Sequence, residues 1–354
     1  MFATLLGGLP RPPGDDGRPL ADDDRAVVAA LDAQAEAGLE PLTDGRLRSR
    51  GRFGAIVGLD GLEAGPDGPR LSGFPRWRTA LTVDAWRFAT GHASGLVKQA
   101  LPGPYTLGRR LGADDPDAST TAFATALRSE VLALAEAGCA FIEIEERDAH
   151  LIGTDEVERR RFADAHRSLL DGIEGVHLSL AIIGGNADTA GIETILAAPY
   201  PSLAVDLIDG PDNWRLVTKA PGDRGIVCGA LSTRHPSDDS PELLLWAAGY
   251  AAASEGRGQT RVGLATAGGL AGLSWDHAAA KLKRLGEAAR LAGLPLAEAA
   301  PHLDPRAIDI RSAAAIRRSR PWLRISRSPS TGNNGRLMSS RDGCSSSSFA
   351  RTST

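Results

Sequence analysis

Cysteine is scarce in this chain. Cys139, Cys228 and Cys344 are the three among 354 residues, and none stands at the CxxC spacing that a zinc module or a disulfide framework needs. A reducing compartment is expected, and the protein reads as cytoplasmic. Long apolar runs are missing as well: no segment approaches the about 18 apolar residues of a membrane span. The opening MFATLLGGLPRPP has neither the basic start nor the apolar length of a secretory signal. Positive charge is not concentrated either. Forty Lys and Arg stand against 44 Asp and Glu for a net charge of -4, and before residue 310 they are scattered, so no electrostatic footprint for nucleic acid is visible. There is no P-loop, GxSxG, HExxH or GxGxxG motif, which removes support for nucleotide-phosphate and serine-hydrolase chemistry. A small molecule is the partner class left, with neither membrane nor nucleic acid.

What the chain does have is alternation. Eight short β-like runs, at 2–8, 40–45, 96–103, 140–146, 176–185, 203–209, 225–232 and 261–269, are separated by amphipathic stretches such as DDDRAVVAALDAQAEAG and SWDHAAAKLKRLGEAARLAG. Several of these stretches open on Asp, Ser or Thr and stop at Gly, as helix ends do. Repeated β-then-α units predict a parallel sheet, and eight is the number that closes a (β/α)8 TIM barrel. An open doubly wound sheet is the rival topology. Between the second and third strands, residues 50–80 are rich in Gly, Pro and Arg and read as a long excursion over the barrel mouth. The barrel is expected over 1–311. From 312 to 354 Ser, Arg, Gly and Asn dominate, so a disordered C-terminal tail is expected there, with Cys344 inert inside it.

In a barrel, strand residues alternate between interior and helix layer, and active sites form at the carboxyl ends of the strands. In FIEIEE, Ile142 and Ile144 suit the helix layer, which aims Glu143 and Glu145 inward. Two interior carboxylates need cations, donors or a ligand. Lys98 and Arg46 are available as plain counter-ions, and that reading stands beside ligand binding, more so for the deeper Glu143. Asp44 and Asp209 close the second and sixth strands, where a turn or a helix cap is the competing role. The GG pairs at 7–8 and 184–185 allow close backbone approach. The GPYTLG stretch reads as a rigid turn offering Thr106 as a hydroxyl.

GGLPRP (7–12), AQAEAGLEPLTDG (33–45), VKQALPGPYTL (97–107), LRSEVLALAEAGCAFIEIEE (127–146), STRHPS (232–237) and GGL (268–270) occur in one order. That collinear set resembles the catalytic barrel of cobalamin-independent methionine synthases, over residues 4 to about 293. The resemblance implies a UROD/methionine-synthase-like (β/α)8 barrel and methyl transfer from a folate to a thiol such as homocysteine. It also implies a zinc ion that holds the thiol as thiolate. The family's zinc ligands are a His and a Cys two apart on strand five, a Glu on strand six and a Cys after strand eight. Those positions carry Ser179, Ala181, Leu207 or Ile208, and Ala267 or Gly268 here, and His177 matches a non-ligand histidine. No metal site is therefore expected. Arg46 stands where the family has an acidic residue, Leu231 where it has a histidine, and Arg110 near its folate-stacking tryptophan. The positions that carry over as substrate-binding candidates are Gly7, Gly8, Asp44, Glu145, Glu146, Asp209 and Ser232, for an amino-acid-like or folate-like ligand. A catalytically silent or zinc-independent barrel that binds a small carboxylated or amino-acid-like molecule is the alternative.

Overall fold

The computed structural model describes residues 1–49, 53–65, 68–112, 114–234 and 240–303. The expected tail at 312–354 and the His235–Ser237 part of the STRHPS motif lie outside the described residues. In chain order the strands are β1 (Phe2–Thr4), β2 (Asp60–Gly65), β3 (Gly68–Arg76), β4 (Gln99–Pro102), β5 (Phe141–Glu146), β6 (His177–Ile182), β7 (Ser202–Asp206), β8 (Gly225–Leu231) and β9 (Val262–Thr266). The helices are α1 (Asp23–Glu36), α2 (Val83–His92), α3 (Pro104–Leu111), α4 (Pro116–Glu136), α5 (Glu156–Leu170), α6 (Ile192–Ile195), α7 (Trp214–Lys219), α8 (Pro241–Ala253), α9 (Trp275–Ala292) and α10 (Leu296–Ala299). Side chains of Asp22, Asp155, Ser240 and Ser274 accept first-turn N–H groups of α1, α5, α8 and α9, satisfying donors that the helix itself cannot.

Seven strands form one parallel sheet in the order β1-β9-β8-β7-β6-β5-β4. The expected strand at 40–45 is not a strand. Pro41 has no N–H to give to a ladder, and the Asp44 side chain turns back to accept the Arg46 N–H at 2.9 Å, ending the extended run. The segment still reaches β1 and the residues leading into β4: Glu40 N donates to Ala3 O at 2.9 Å, Leu42 N to Leu96 O at 2.8 Å, and Lys98 N to Leu42 O at 2.9 Å.

Two further expectations are corrected. The 50–80 excursion does not lie over the mouth as a whole: β2 and β3 form an antiparallel ribbon whose second strand packs against α4 on the flank. The reason is Glu130 of α4, wholly buried, which accepts Trp77 Nε1, Leu81 N and Thr82 N at 2.8 Å each and Thr82 Oγ1 at 2.7 Å. Among the described residues of the excursion, Gly54 and Ala55 border the mouth. The expected rigid turn after the third predicted strand is instead the helix α3, with Pro104 in its first turn, where a missing N–H does no harm.

Strand alternation sorts the core. Ile142, Ile144, Leu178, Leu180, Leu203 and Val205 face the helices in the main apolar cluster. A smaller cluster of Leu6, Ala181, Ile183, Ala204, Val227 and Ala265 occupies the concave side. No helix among the described residues is long and apolar enough to cross a membrane.

Candidate functional site at the carboxyl ends of the strands

The concave face of β5 carries charge in two steps. Deeper in, Glu143 and Lys98 are fully buried and face each other, Nζ lying 3.0 and 2.9 Å from the two carboxylate oxygens. Burial pushes the Glu143 pKa up, and Lys98 only partly opposes it. One step nearer the mouth, Glu145 is 1% exposed and meets three groups. Its Oε1 pairs with Arg46 and accepts the Gly7 N–H at 3.2 Å; its Oε2 accepts Arg147 Nη2 at 3.0 Å. Burial alone would raise the Glu145 pKa, but the two guanidinium groups overrule it and hold the carboxylate at about 2. Both counter-ions anticipated from the sequence are thus in place, Lys98 on Glu143 and Arg46 on Glu145. Arg147 was not anticipated, although strand alternation through 141, 143 and 145 carries on to it.

Backbone glycines close the site. Gly7 has φ 77°, a conformation that L side chains rarely adopt, and a Cβ there would sit 2.6 Å from Gly269 N and 3.3 Å from Arg147 Nη2. Gly8 O accepts the Leu270 N–H at 2.7 Å, and Leu9 N donates to Gly45 O at 2.9 Å. The GGL motif at 268–270, the Gly7–Gly8 turn and the Asp44–Gly45 turn therefore meet around the Glu145 ion pairs. Asp44 lines a narrow cleft of about 20 Å³ with Arg46, Ser49, Gly54, Ala55, Gln99, Ala100 and Pro102, and burial raises its pKa. That volume is about what one water needs.

The other candidates sit elsewhere. Glu146 turns to the helix layer: Oε1 accepts Tyr105 N at 3.0 Å and lies 3.0 Å from His166 Nε2, while Oε2 accepts Thr106 N at 2.8 Å and the Thr106 hydroxyl at 2.5 Å. A carboxylate at the start of α3 suits the exposed N–H groups there, and Gly103 leaves room for it, since a Cβ would be 2.1 Å from Glu146 Cδ. Asp209 and Ser232 gather around Arg234, whose Nη2 donates to Asp209 Oδ2 at 2.9 Å and whose N–H donates to Ser232 Oγ at 3.3 Å. Arg110 pairs with Asp148 at 2.5 Å.

Zinc does not fit the described residues at the family's ligand positions. Ala181 and Ala267 offer no donor, Leu207 is a buried alkyl chain, and Ser179 Oγ is a buried hydroxyl without a hydrogen-bond partner. Zinc sites are built from thiolate, imidazole and carboxylate. Among the described residues no three His, Cys, Asp or Glu side chains converge on a metal position. His177 starts β6, at the opposite end from the mouth, with Nε2 2.8 Å from Ser202 Oγ and its ring edge-on to Phe141. The buried thiols of Cys139 and Cys228 are pushed up by burial to about 11 and about 12, the reverse of what a metal ligand needs.

No protein-family model and no curated protein sequence matches the chain. Solved structures do. A B12-independent methionine synthase from Shewanella sp. W3-18-1, in complex with selenomethionine, aligns with a TM-score of 0.71 at 17% identity over 82% of this chain and 96% of its own. A putative vitamin-B12-independent methionine synthase from Listeria monocytogenes gives 0.66 at 19% identity over 82% and 97%. A methyltransferase from Methanosarcina mazei gives 0.54 at 15% over 82% and 94%. The chain shares the fold of these proteins, as the resemblance in the motifs implied.

Proposed function

We propose that this chain is a methionine-synthase-like barrel protein that binds a small carboxylated molecule at its mouth and does not perform zinc-dependent methyl transfer. In this reading the 40–43 segment closes the seven-stranded sheet as an irregular eighth stave. The barrel spans 1–311, and 312–354 is an appended tail. Gly7, Gly8, Asp44 and Glu145 border the ligand, Asp209 and Ser232 flank it around Arg234, and Glu146 supports it from the helix layer.

The observation that carries the reading is the state of Glu145. In the family the matching carboxylate receives the substrate amine, but here both of its oxygens are engaged by arginines. An ammonium placed beside it would meet two guanidinium groups; at about 4 Å and an effective dielectric of about 20, each repels by about 4 kcal/mol, which the single carboxylate cannot offset. Without zinc donors, a bound thiol also has no metal to hold it as thiolate.

Fold likeness to methionine synthases favours a second reading, methyl transfer from a folate to a thiol. Metal analysis of the purified full chain separates the two. Stoichiometric zinc would sink the first reading. With metal-free protein, a thermal-shift screen across homocysteine, methionine, folates and small carboxylic acids follows. A ligand at 100 times its dissociation constant stabilises by about 2.7 kcal/mol, and a carboxylic acid is expected to give that response.

A further inference from the structure

We propose that the ligand of this mouth is a small organic acid, and that its carboxylate is gripped jointly by Arg46 and Arg147, with Glu145 as the internal anchor that holds the two guanidinium groups in place. This rests on the reading above that the mouth binds a small molecule. It adds the two residues that do the binding and the chemical group they take.

Each guanidinium carries five N–H groups in a fixed planar fork. One nitrogen of each, Nη2, faces Glu145, and the remaining guanidinium nitrogens of both residues have no partner among the described residues. The two side chains are 24% and 30% exposed while Glu145 is 1% exposed, so the anchor is internal and the free donors open outward. Forks presented this way match the planar, two-oxygen face of a carboxylate.

Both arginines are held. Arg147 N donates to Thr106 Oγ1 at 2.9 Å, which ties it to the start of α3. Arg46 sits with φ 58°, in the left-handed region that few non-glycine residues adopt, fixed by its N–H to Asp44 at 2.9 Å. Strained backbone of this kind clusters at ligand sites. Gly7 completes the fit, because a side chain there would press on Arg147 Nη2.

Charge decides the class. The triad holds two guanidinium groups against one carboxylate. Nearby acids are engaged elsewhere: Glu143 pairs with Lys98, Asp148 with Arg110, and Asp44 accepts the Arg46 backbone N–H and forms no ion pair with either guanidinium among the described residues. The surplus positive charge at a half-buried mouth attracts an anion and rejects an amine, and the planar guanidinium forks fit the flat two-oxygen face of a carboxylate more closely than a tetrahedral phosphate.

The test is isothermal titration of the full chain with succinate, inorganic phosphate and butylamine, on wild type, Arg46→Gln, Arg147→Gln and Arg160→Gln. Arg160 is an exposed residue of α5 on the flank and serves as the control. Succinate is expected to bind wild type and Arg160→Gln equally, with at least a tenfold loss of affinity in each mouth variant, and butylamine to give no heat. Circular dichroism checks folding; if a Gln variant does not fold, Arg46→Lys and Arg147→Lys, which keep the charge on Glu145 but lose the fork, are expected to show the same loss. Succinate bound equally by folded mouth variants overturns the assignment, as does binding of phosphate or butylamine in its place. If succinate fails while an amino acid or a folate binds, the carboxylate grip is wrong and the small-molecule mouth stands. If no ligand of any class binds, the underlying reading falls as well.

Discussion

Replacing Glu145 by Gln keeps the shape of the side chain and removes the charge that holds Arg46 and Arg147. Its carboxyl is lowered from 4.5 to about 2 in the folded protein, a difference worth about 3 kcal/mol at neutral pH. Glu145 is almost fully buried, so solvent screening removes little of it. Because the folded pKa lies below the unfolded one, the contribution is complete well above pH 4.5 and fades as pH falls through about 2. From the same two pKa values, the linkage relation leaves less than half of it at pH 3 and little at pH 2. Urea unfolding of wild type and Glu145→Gln, at pH 7, 4, 3 and 2, reads the gap directly. The variant also relieves Glu143 of a neighbouring negative charge, which narrows the gap slightly at pH 7. About 3 kcal/mol is a large share of the about 5–15 kcal/mol that holds a typical domain folded. A gap under about 0.5 kcal/mol at pH 7, or one that persists undiminished to pH 2, would refute the ion-pair account of the mouth.

Other consequences can be measured in parallel. Removing one partner of the buried Lys98–Glu143 pair, by Lys98→Met or Glu143→Leu, is expected to destabilise by about 3–5 kcal/mol, while the double variant recovers most of the loss; additive losses in a double-mutant cycle would contradict direct pairing. Glu130→Ala strips four donors of their acceptor and is expected to lose about 3 kcal/mol or more, with limited proteolysis newly cutting between 60 and 82. His177→Ala removes a ring at the far end of the sheet and should leave every ligand response at the mouth unchanged; a changed response in thermal-shift titration would bring the histidine back into the site.

Residue order legibly encodes whatever repeats locally. Seven of the eight expected strands appear in place, because alternation of β-rich runs with capped helices is written within about 30 residues at a time. The inward aim of Glu143 and Glu145 followed from the two-residue period of a strand alone, and so did Lys98 and Arg46 as available counter-ions. Pro41 was a visible warning that the second strand would fail, since it lacks the N–H a ladder requires. Glu146 was legible too: the same alternation that turns Glu145 inward sends its neighbour to the helices, where it caps α3.

Pairing across distance was decided by the tertiary structure. That Lys98 takes Glu143 and Arg46 takes Glu145 depends on β4 lying beside β5 in a register of Ala100 with Glu143 and Pro102 with Glu145, and on where the 40–49 segment returns. That the 60–76 ribbon packs on the flank depends on one buried carboxylate in α4. That His177 lies at the end of β6 away from the mouth depends on strand direction within the parallel sheet. Local sequence sets which face a residue takes, because backbone geometry is periodic; which partner it meets there is set by chain closure over a hundred residues or more, and for the charges of this mouth the partner is what decides the chemistry.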